Sequence, residues 1–359
     1  MNARWLPWGC ALLLTCSALA FAADDTVSLV FAGDIVLDDT AGDMIARGED
    51  PLAGFSSVFA SADIRIANLE CVVATVGSAG EKTFTFRAHP RTLSVLKRHL
   101  DALGLANNHS GDFGREAFSE MLVLLQQAGL AKFGGGNNLS EAHTPLIIER
   151  KGLRIALLGY NEFMPRSFEA DFDAPGVAWS EDEQVQDDIR KARTVYRADL
   201  VIPVMHWGWE NELTANDRQR QLARVMVDAG ADAVIGGHPH VTQDIEHYRG
   251  KPIIYSVGNF VMKETDNNNQ RRGWVLRLTL DTQGVRGFDT RVAQISFEGI
   301  PTLDLAATSP CWKRGDGGVG LCRGNERGFA CMMRAANGVA CVLRRASRAN
   351  RYDMLAILR

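Results

Sequence analysis

Beyond its first two dozen residues this 359-residue chain has no apolar run of the roughly 20 residues that a bilayer span requires, so no internal membrane crossing is expected. Cysteine is nearly absent from the body of the chain. Past Cys10 and Cys16, Cys71 stands alone in LECVVATV and reads as a small buried apolar residue. The remaining four fall within residues 311–359 at spacings that match no zinc ribbon, although an oxidising compartment would let them pair. Surplus positive charge is missing too. The net charge is −4; residues 311–359, with ten Lys/Arg against Asp316, Glu326 and Asp353, contribute +7, which leaves −11 on everything before them. An acidic body without a basic face excludes general nucleic-acid affinity, which depends on releasing counterions from phosphates. Charged residues make up 23%, near the globular average, so wholesale disorder is not expected.

The N-terminus carries Arg4, then a short apolar stretch, then Ala20 and Ala22 around Phe21. That pattern reads as a secretory signal cut after Ala22, which makes the mature protein periplasmic or associated with the cell envelope. A retained anchor is the rival, since residues 5–23 are barely long enough to span. A lipoprotein cut before Cys16 fits poorly, because Thr15 is bulkier than the small residue expected there. The expected organisation is a signal peptide at 1–22, a domain at 23–300, and a Cys- and Arg-rich tail at 301–359 that is disordered or read out of frame.

Within the body, strand-like and helix-like segments alternate. Residues 26–32, 63–69, 102–106, 154–159, 198–205 and 231–235 read as apolar strands, and 244–248 with 252–256 as a hairpin about Arg249-Gly250-Lys251. Residues 91–100, 115–128, 182–193 and 216–228 have helical character, the second ending at Gly129 and the last at Gly230, with Thr214 or Asn216 as its cap. Such alternation predicts an α/β fold, and no internal repeat interrupts it. The polar clusters (Gly33-Asp34, Asn68 to Glu70, Asn107 to His109, His206, and His238 with His240) fall at the C-terminal ends of predicted strands, the edge where α/β sheets bind ligands. Turn chemistry explains Gly, Asn and Asp there but not three histidines.

His238 and His240, separated by one residue, can aim two imidazoles at one point, and neutral imidazole binds Zn, Fe or Mn. His206 adds a third, and Asp34, Glu70 and Asn108 would supply oxygen ligands. A carboxylate bridging two cations about 3.5–4 Å apart is the usual two-metal arrangement for displacement at phosphorus. His109 would then protonate a leaving group, and Asp112, three residues on, would orient its ring. Lys82, Arg87 and Arg91, in a locally basic segment, form either a solvated hairpin or an anion clamp for phosphate or glutamate carboxylates, with Asn68 as a further polar contact. Trp207 and Trp209 flank His206, as site walls or as ordinary packing.

The ordered set FAGDIVLDD, RIANLECVV, FTFRAHP, LANNHSGDFG, VMHWGWENE, IGGHPHVTQ and YSVGNF, over residues 27–260, resembles the CapA family of poly-γ-glutamate capsule synthesis proteins. That family is similar in turn to calcineurin-like metallophosphoesterases. The resemblance implies two packed mixed β-sheets flanked by helices, a four-layer sandwich, with one or two divalent transition ions (Mn, Fe or Zn). On the matching positions, Asp34 stands for the first metal-binding Asp, Glu70 for the bridging acid, Asn108 and His109 for the Asn-His pair, His206 for the lone His, and His238 and His240 for the Gly-His-x-His motif. Two positions depart from the enzymes: Val36 stands where their first His ligand is, and the bridging Asp is Glu70. The resemblance implies a capsule role, with an anionic polymer or phosphorylated substrate and a membrane synthase as partners. It leaves two functions open, a metal-dependent hydrolase or a non-catalytic binding protein.

Overall fold

Residues 26–32 are apolar at almost every position because the strand they form is covered on both faces, as parallel strands inside α/β proteins are. The computed structural model describes residues 26–164 and 166–323, so the expected signal peptide lies outside the described residues. Four parallel strands come first: β1 (Val27–Ile35), β2 (Ile64–Leu69), β3 (Ala102–Gly104) and β4 (Ala131–Phe133). The chain then crosses to a second sheet with β5 (Leu146–Arg150), β6 (Leu153–Asn161), β7 (Leu200–His206), β8 (Val234–Gly237), β9 (Ile245–Tyr248) and β10 (Lys251–Ile254). These six lie in the order β9-β10-β8-β7-β6-β5, with β6, β7, β8 and β10 parallel.

The chain returns through β11 (Asn259–Val261), which runs parallel to the end of β1, and continues into β12 (Arg272–Asp281) and β13 (Gly284–Ile295). Three further strands, β14 (Pro301–Asp304), β15 (Thr308–Lys313) and β16 (Gly320–Arg323), complete a ten-stranded mixed sheet in which β16-β15-β13-β12-β1-β2-β3-β4 are neighbours, β11 pairs β1 and β14 pairs β13. The sheet therefore runs past residue 300, where the tail was expected to begin, and a Cys311–Cys322 disulfide joins β15 to β16. Residues 324–359 lie outside the described residues.

Side-chain alternation sorts the layers. Val27, Leu29 and Phe31 face Ile155, Leu157, Ile202 and Ile235 of the second sheet in one buried cluster. Val30 and Ala32 point the other way, onto Leu93 and Leu96 of α1 (Leu93–His99) and Phe118, Met121 and Leu125 of α2 (Gly114–Gln127). On the far side, Ala156, Tyr160, Val201 and Met205 meet Val185 and Ile189 of α3 (Asp182–Thr194) and Leu222 and Met226 of α4 (Asp217–Ala229). This is the helix–sheet–sheet–helix sandwich. Each large apolar side chain so buried contributes about 1.5–3 kcal/mol before entropy is counted. In α4, Asn216 forms a capping box with Gln219, and Gly230 at φ +118° ends the helix.

One strand boundary differs from the sequence reading in a way that shapes the site. Gly236 and Gly237 lie inside β8, paired with Met205 and His206, rather than after it. A Cβ on Gly236 would stand 2.0 Å from the Tyr255 carbonyl oxygen, and one on Gly237 would stand 2.8 Å from Asp34 Oδ1. Glycine is what lets the second sheet close against the acid at the end of β1.

Candidate metal centre

The parallel strands of both sheets end at one edge and deliver their polar residues into a common buried space. Asp34 comes from β1, Asn68 and Glu70 from the end of β2, and residues 107–109 from the turn after β3. The second sheet contributes His206 from β7, and His238 and His240 from the turn after β8. Asp34, Glu70, His206, His238 and His240 are all buried. His238 (φ +90°) and His240 (φ +59°) occupy the left-handed region, a strain of about 1–3 kcal/mol each that packing must hold in place.

The donors converge on Glu70. His206 Nε2 lies 3.3 Å from Glu70 Oε1, 2.7 Å from Asn108 Oδ1 and 3.1 Å from His238 Nδ1. His240 Nε2 is 3.8 Å from the same carboxylate oxygen, and His240 Nδ1 is 3.8 Å from Asp34 Oδ2. Ligand atoms of Asp34, Glu70 and His206 lie within 4.8 Å of one another, as do those of Glu70, His238 and His240. Glu70 belongs to both groups, so the one acid is within reach of every other donor and can be shared between two adjoining ions. Neither Glu70 oxygen makes a hydrogen bond, and neither does His238 Nε2.

Burial, with the Asp34 charge beside it, pushes the Glu70 carboxyl well above the usual carboxylate range. Burial pushes His206 down to about 3, and it also drives His238 well below its ordinary value, helped by the His206 and His240 imidazoles. Both rings are therefore neutral at pH 7, the form that binds metal. His240 moves the other way: burial opposes its charge, but the carboxylates of Glu70 and Asp34 outweigh it.

His109 stands beside this group. Its Nδ1 is 2.7 Å from Asp112 Oδ2, and its ring lies 4.2 Å from that of Phe86. Asp112 also accepts from Lys82 Nζ (2.5 Å) and the Phe86 amide (2.8 Å). Burial lowers the His109 pKa, with Asp112 pulling in the opposite direction.

The anion clamp is not assembled. Arg87 donates to the carbonyls of Val76 (3.4 Å) and Gly77 (3.3 Å) and lies over the Phe113 ring. Arg91 is exposed at the start of the turn before α1. Of the three cations, Lys82 alone reaches the site residues, through Asp112 and the Asn108 carbonyl. Asn68 is an internal strut, donating to Asp34 Oδ1 (2.8 Å) and accepting from Asn107 Nδ2 (3.0 Å). Trp207 is core, its Nε1 donating to the Tyr255 carbonyl, whereas Trp209 is 64% exposed and meets Phe163 edge to face.

Three residues of the site went unassigned from sequence. Asn107 ties Asn68, the Leu69 carbonyl and the His109 amide together. Asn259, inside YSVGNF, lies 2.9 Å from His240 Nδ1. The Phe163 ring lies 3.9 Å from that of His238, and no local pattern marks it.

The profile of the family described as bacterial capsule synthesis protein PGA_cap matches residues 28–264. The PGA biosynthesis protein CapA of Bacillus subtilis is 34% identical over 248 residues, covering 67% of this chain and 65% of that protein. The capsule biosynthesis protein CapA of Bacillus anthracis is 33% identical, covering 51% of this chain and 46% of that one. The chain thus spans less than two thirds of the length of either relative. Among solved structures, the NAD nucleotidase NadN of Haemophilus influenzae superposes with a TM-score of 0.43 at 12% identity, over 78% of this chain and 53% of that one.

Proposed function

Because the chain belongs to the PGA_cap family of bacterial capsule synthesis proteins, we propose that it serves poly-γ-glutamate synthesis as an exported, metal-dependent hydrolase acting on the polymer or a phosphorylated precursor beside a membrane synthase. The observation that carries this reading is Glu70: a fully buried carboxylate whose two oxygens accept no hydrogen bond, ringed by His206, His238, His240 and Asp34. A buried, unpaired charge costs several kcal/mol, and a cation is the partner this donor set fits. The mixture of imidazole nitrogen and carboxylate oxygen suits Mn, Fe or Zn. The Cys311–Cys322 disulfide accords with export into an oxidising compartment.

Glu70, Asn108, His206 and His238 would hold one ion, and Asp34, Glu70 and His240 a second. A divalent ion there supplies Lewis acidity at a phosphoryl or acyl oxygen and acidifies water. The chain's own contributions are separate. The burial of the site excludes bulk water and strengthens its electrostatics. Asp112 holds His109 by Nδ1, so that Nε2 is the nitrogen left to deliver a proton to a leaving oxygen.

Protein purified without a His tag under metal-replete conditions should carry about one equivalent of Mn, Fe or Zn, or two. Glu70→Gln and His238→Ala should each retain less. Without metal, Glu70→Gln should melt no lower than the wild type, since burial already disfavours the ionised carboxyl that the neutral amide replaces. Metal-free protein from every preparation would end the metal reading.

Val36 favours a second reading. It is buried and apolar where the resemblance implies a His ligand, which leaves the Asp34 side one ligand short. A binding protein that keeps one structural ion would bind poly-γ-glutamate and hydrolyse nothing. Turnover of phosphoesters by the metal-loaded protein separates the two.

A further inference from the structure

Asn259 begins β11 directly beside Asp34 in the parallel register with β1. That register depends on Gly33, whose φ of +80° and missing Cβ let the Gly258 carbonyl approach; a Cβ would stand 2.5 Å from that oxygen. Asn259 is 1% exposed, so water cannot stand in for its partners. Its Nδ2 donates to the Gln270 carbonyl at 3.1 Å, and its Oδ1 lies 2.9 Å from His240 Nδ1. The opposite amide orientation would set oxygen against oxygen at Gln270, so Oδ1 is the atom facing the imidazole.

An amide oxygen only accepts. His240 Nδ1 must therefore carry a hydrogen, so that in the neutral ring, the form that binds metal, Nε2 keeps its lone pair. Nε2 is the nitrogen that lies 3.8 Å from Glu70 Oε1. The carbonyl that orients Asn259 is itself tethered. The Gln270 side chain donates to Asn211 Oδ1 (3.0 Å) and accepts from Thr265 Oγ1 (2.8 Å), and Asn267 donates to Asn211 as well (2.8 Å). The loop after β11 is thereby pinned to the loop that follows His206.

We infer that Asn259 is a positioning residue of the metal centre, holding His240 in the tautomer and orientation that present Nε2 to an ion shared with Glu70. This rests on the metal reading above. Partners that fix a ligating histidine through its second nitrogen typically change metal affinity by about 10–100-fold.

The test is Co²⁺ affinity, by chelator competition and visible absorption, in wild type, Asn259→Leu and Asn259→Asp. Leucine fills the space without an acceptor and should weaken Co²⁺ by about 10–100-fold with a changed absorption envelope. Aspartate keeps the acceptor toward His240, although its second oxygen meets the Gln270 carbonyl, and should bind Co²⁺ more tightly than the leucine variant with the wild-type spectrum restored. Melting of the chelator-treated proteins checks the fold. If the leucine variant does not fold, Asn259→Ser, too short to reach His240, replaces it. Equal Co²⁺ affinity in wild type and Asn259→Leu overturns the inference while leaving the metal reading intact. No Co²⁺ binding by the wild type overturns both.

Discussion

Replacing His109 by alanine is expected to slow phosphoester turnover by about 10²–10⁴-fold while leaving the bound metal unchanged. The dissociation of the two effects follows from where the residue sits. His109 belongs to neither donor group around Glu70, so its loss removes no ligand. It is buried, packed at a tilt against Phe86, and tied through Nδ1 to Asp112 at 2.7 Å. Asp112 is in turn saturated by Lys82 Nζ and the Phe86 amide, so the imidazole has one fixed seat. A ring held this firmly beside the site is pre-organised to deliver a proton, which is where acid–base catalysis gains most. Asp112→Asn should move turnover in the same direction with metal content unchanged. The measurements are metal analysis and steady-state hydrolysis of chromogenic phosphomonoesters and phosphodiesters. Equal turnover in His109→Ala and wild type would remove His109 from the chemistry and favour the binding-protein reading.

How much of this was readable in advance depended on whether a residue's role follows from local pattern or from distant partners. Apolar strands ending in His206, or in His238 and His240, announce both the layering and the site, because histidine has no business in a turn of that kind. Asp112 was legible through its spacing from His109. Arg87 was not: its charge suggested an anion, yet its guanidinium donates to the carbonyls of Val76 and Gly77, brought near where Val72–Val73 and Arg87–Ala88 pair in parallel rather than as a hairpin. Asn107 and Asn259 were hidden by the ambiguity of asparagine, which is as common in turns as in networks. Their partners come from other parts of the chain, 38 positions away for Asn107 and the Leu69 carbonyl and 19 for Asn259 and His240. Gly236 and Gly237 read as loop because glycine usually breaks strands; here the close approach of Tyr255 and Asp34 makes glycine the residue the strand needs.

The end of the sheet escaped for a different reason, and it yields the other large effect. The strands β14, β15 and β16 span four, six and four residues, too short for alternation to declare itself among the glycines and cysteines around them. In the fold, β15 pairs with β13, setting Trp312 opposite Phe288. Trp312 is 7% exposed and packs against Phe288 and against His247 of the second sheet, their ring centroids 6.2 and 4.5 Å from its own. It therefore helps close the two sheets on each other. Truncation after Arg323 should leave the melting temperature close to that of the full chain, since every described strand remains. Truncation after Pro310 removes Trp312, half of β15, all of β16 and the Cys311–Cys322 link. Losing a buried Trp alone costs about 3–5 kcal/mol, so Trp312→Ala should reproduce most of the effect. In a domain of this size that corresponds to a fall in melting temperature on the order of 10 °C. Thermal melts of the two truncations and the point variant decide the matter. If the protein ending at Pro310 melts with the one ending at Arg323, the strands past residue 310 are ornament rather than fold.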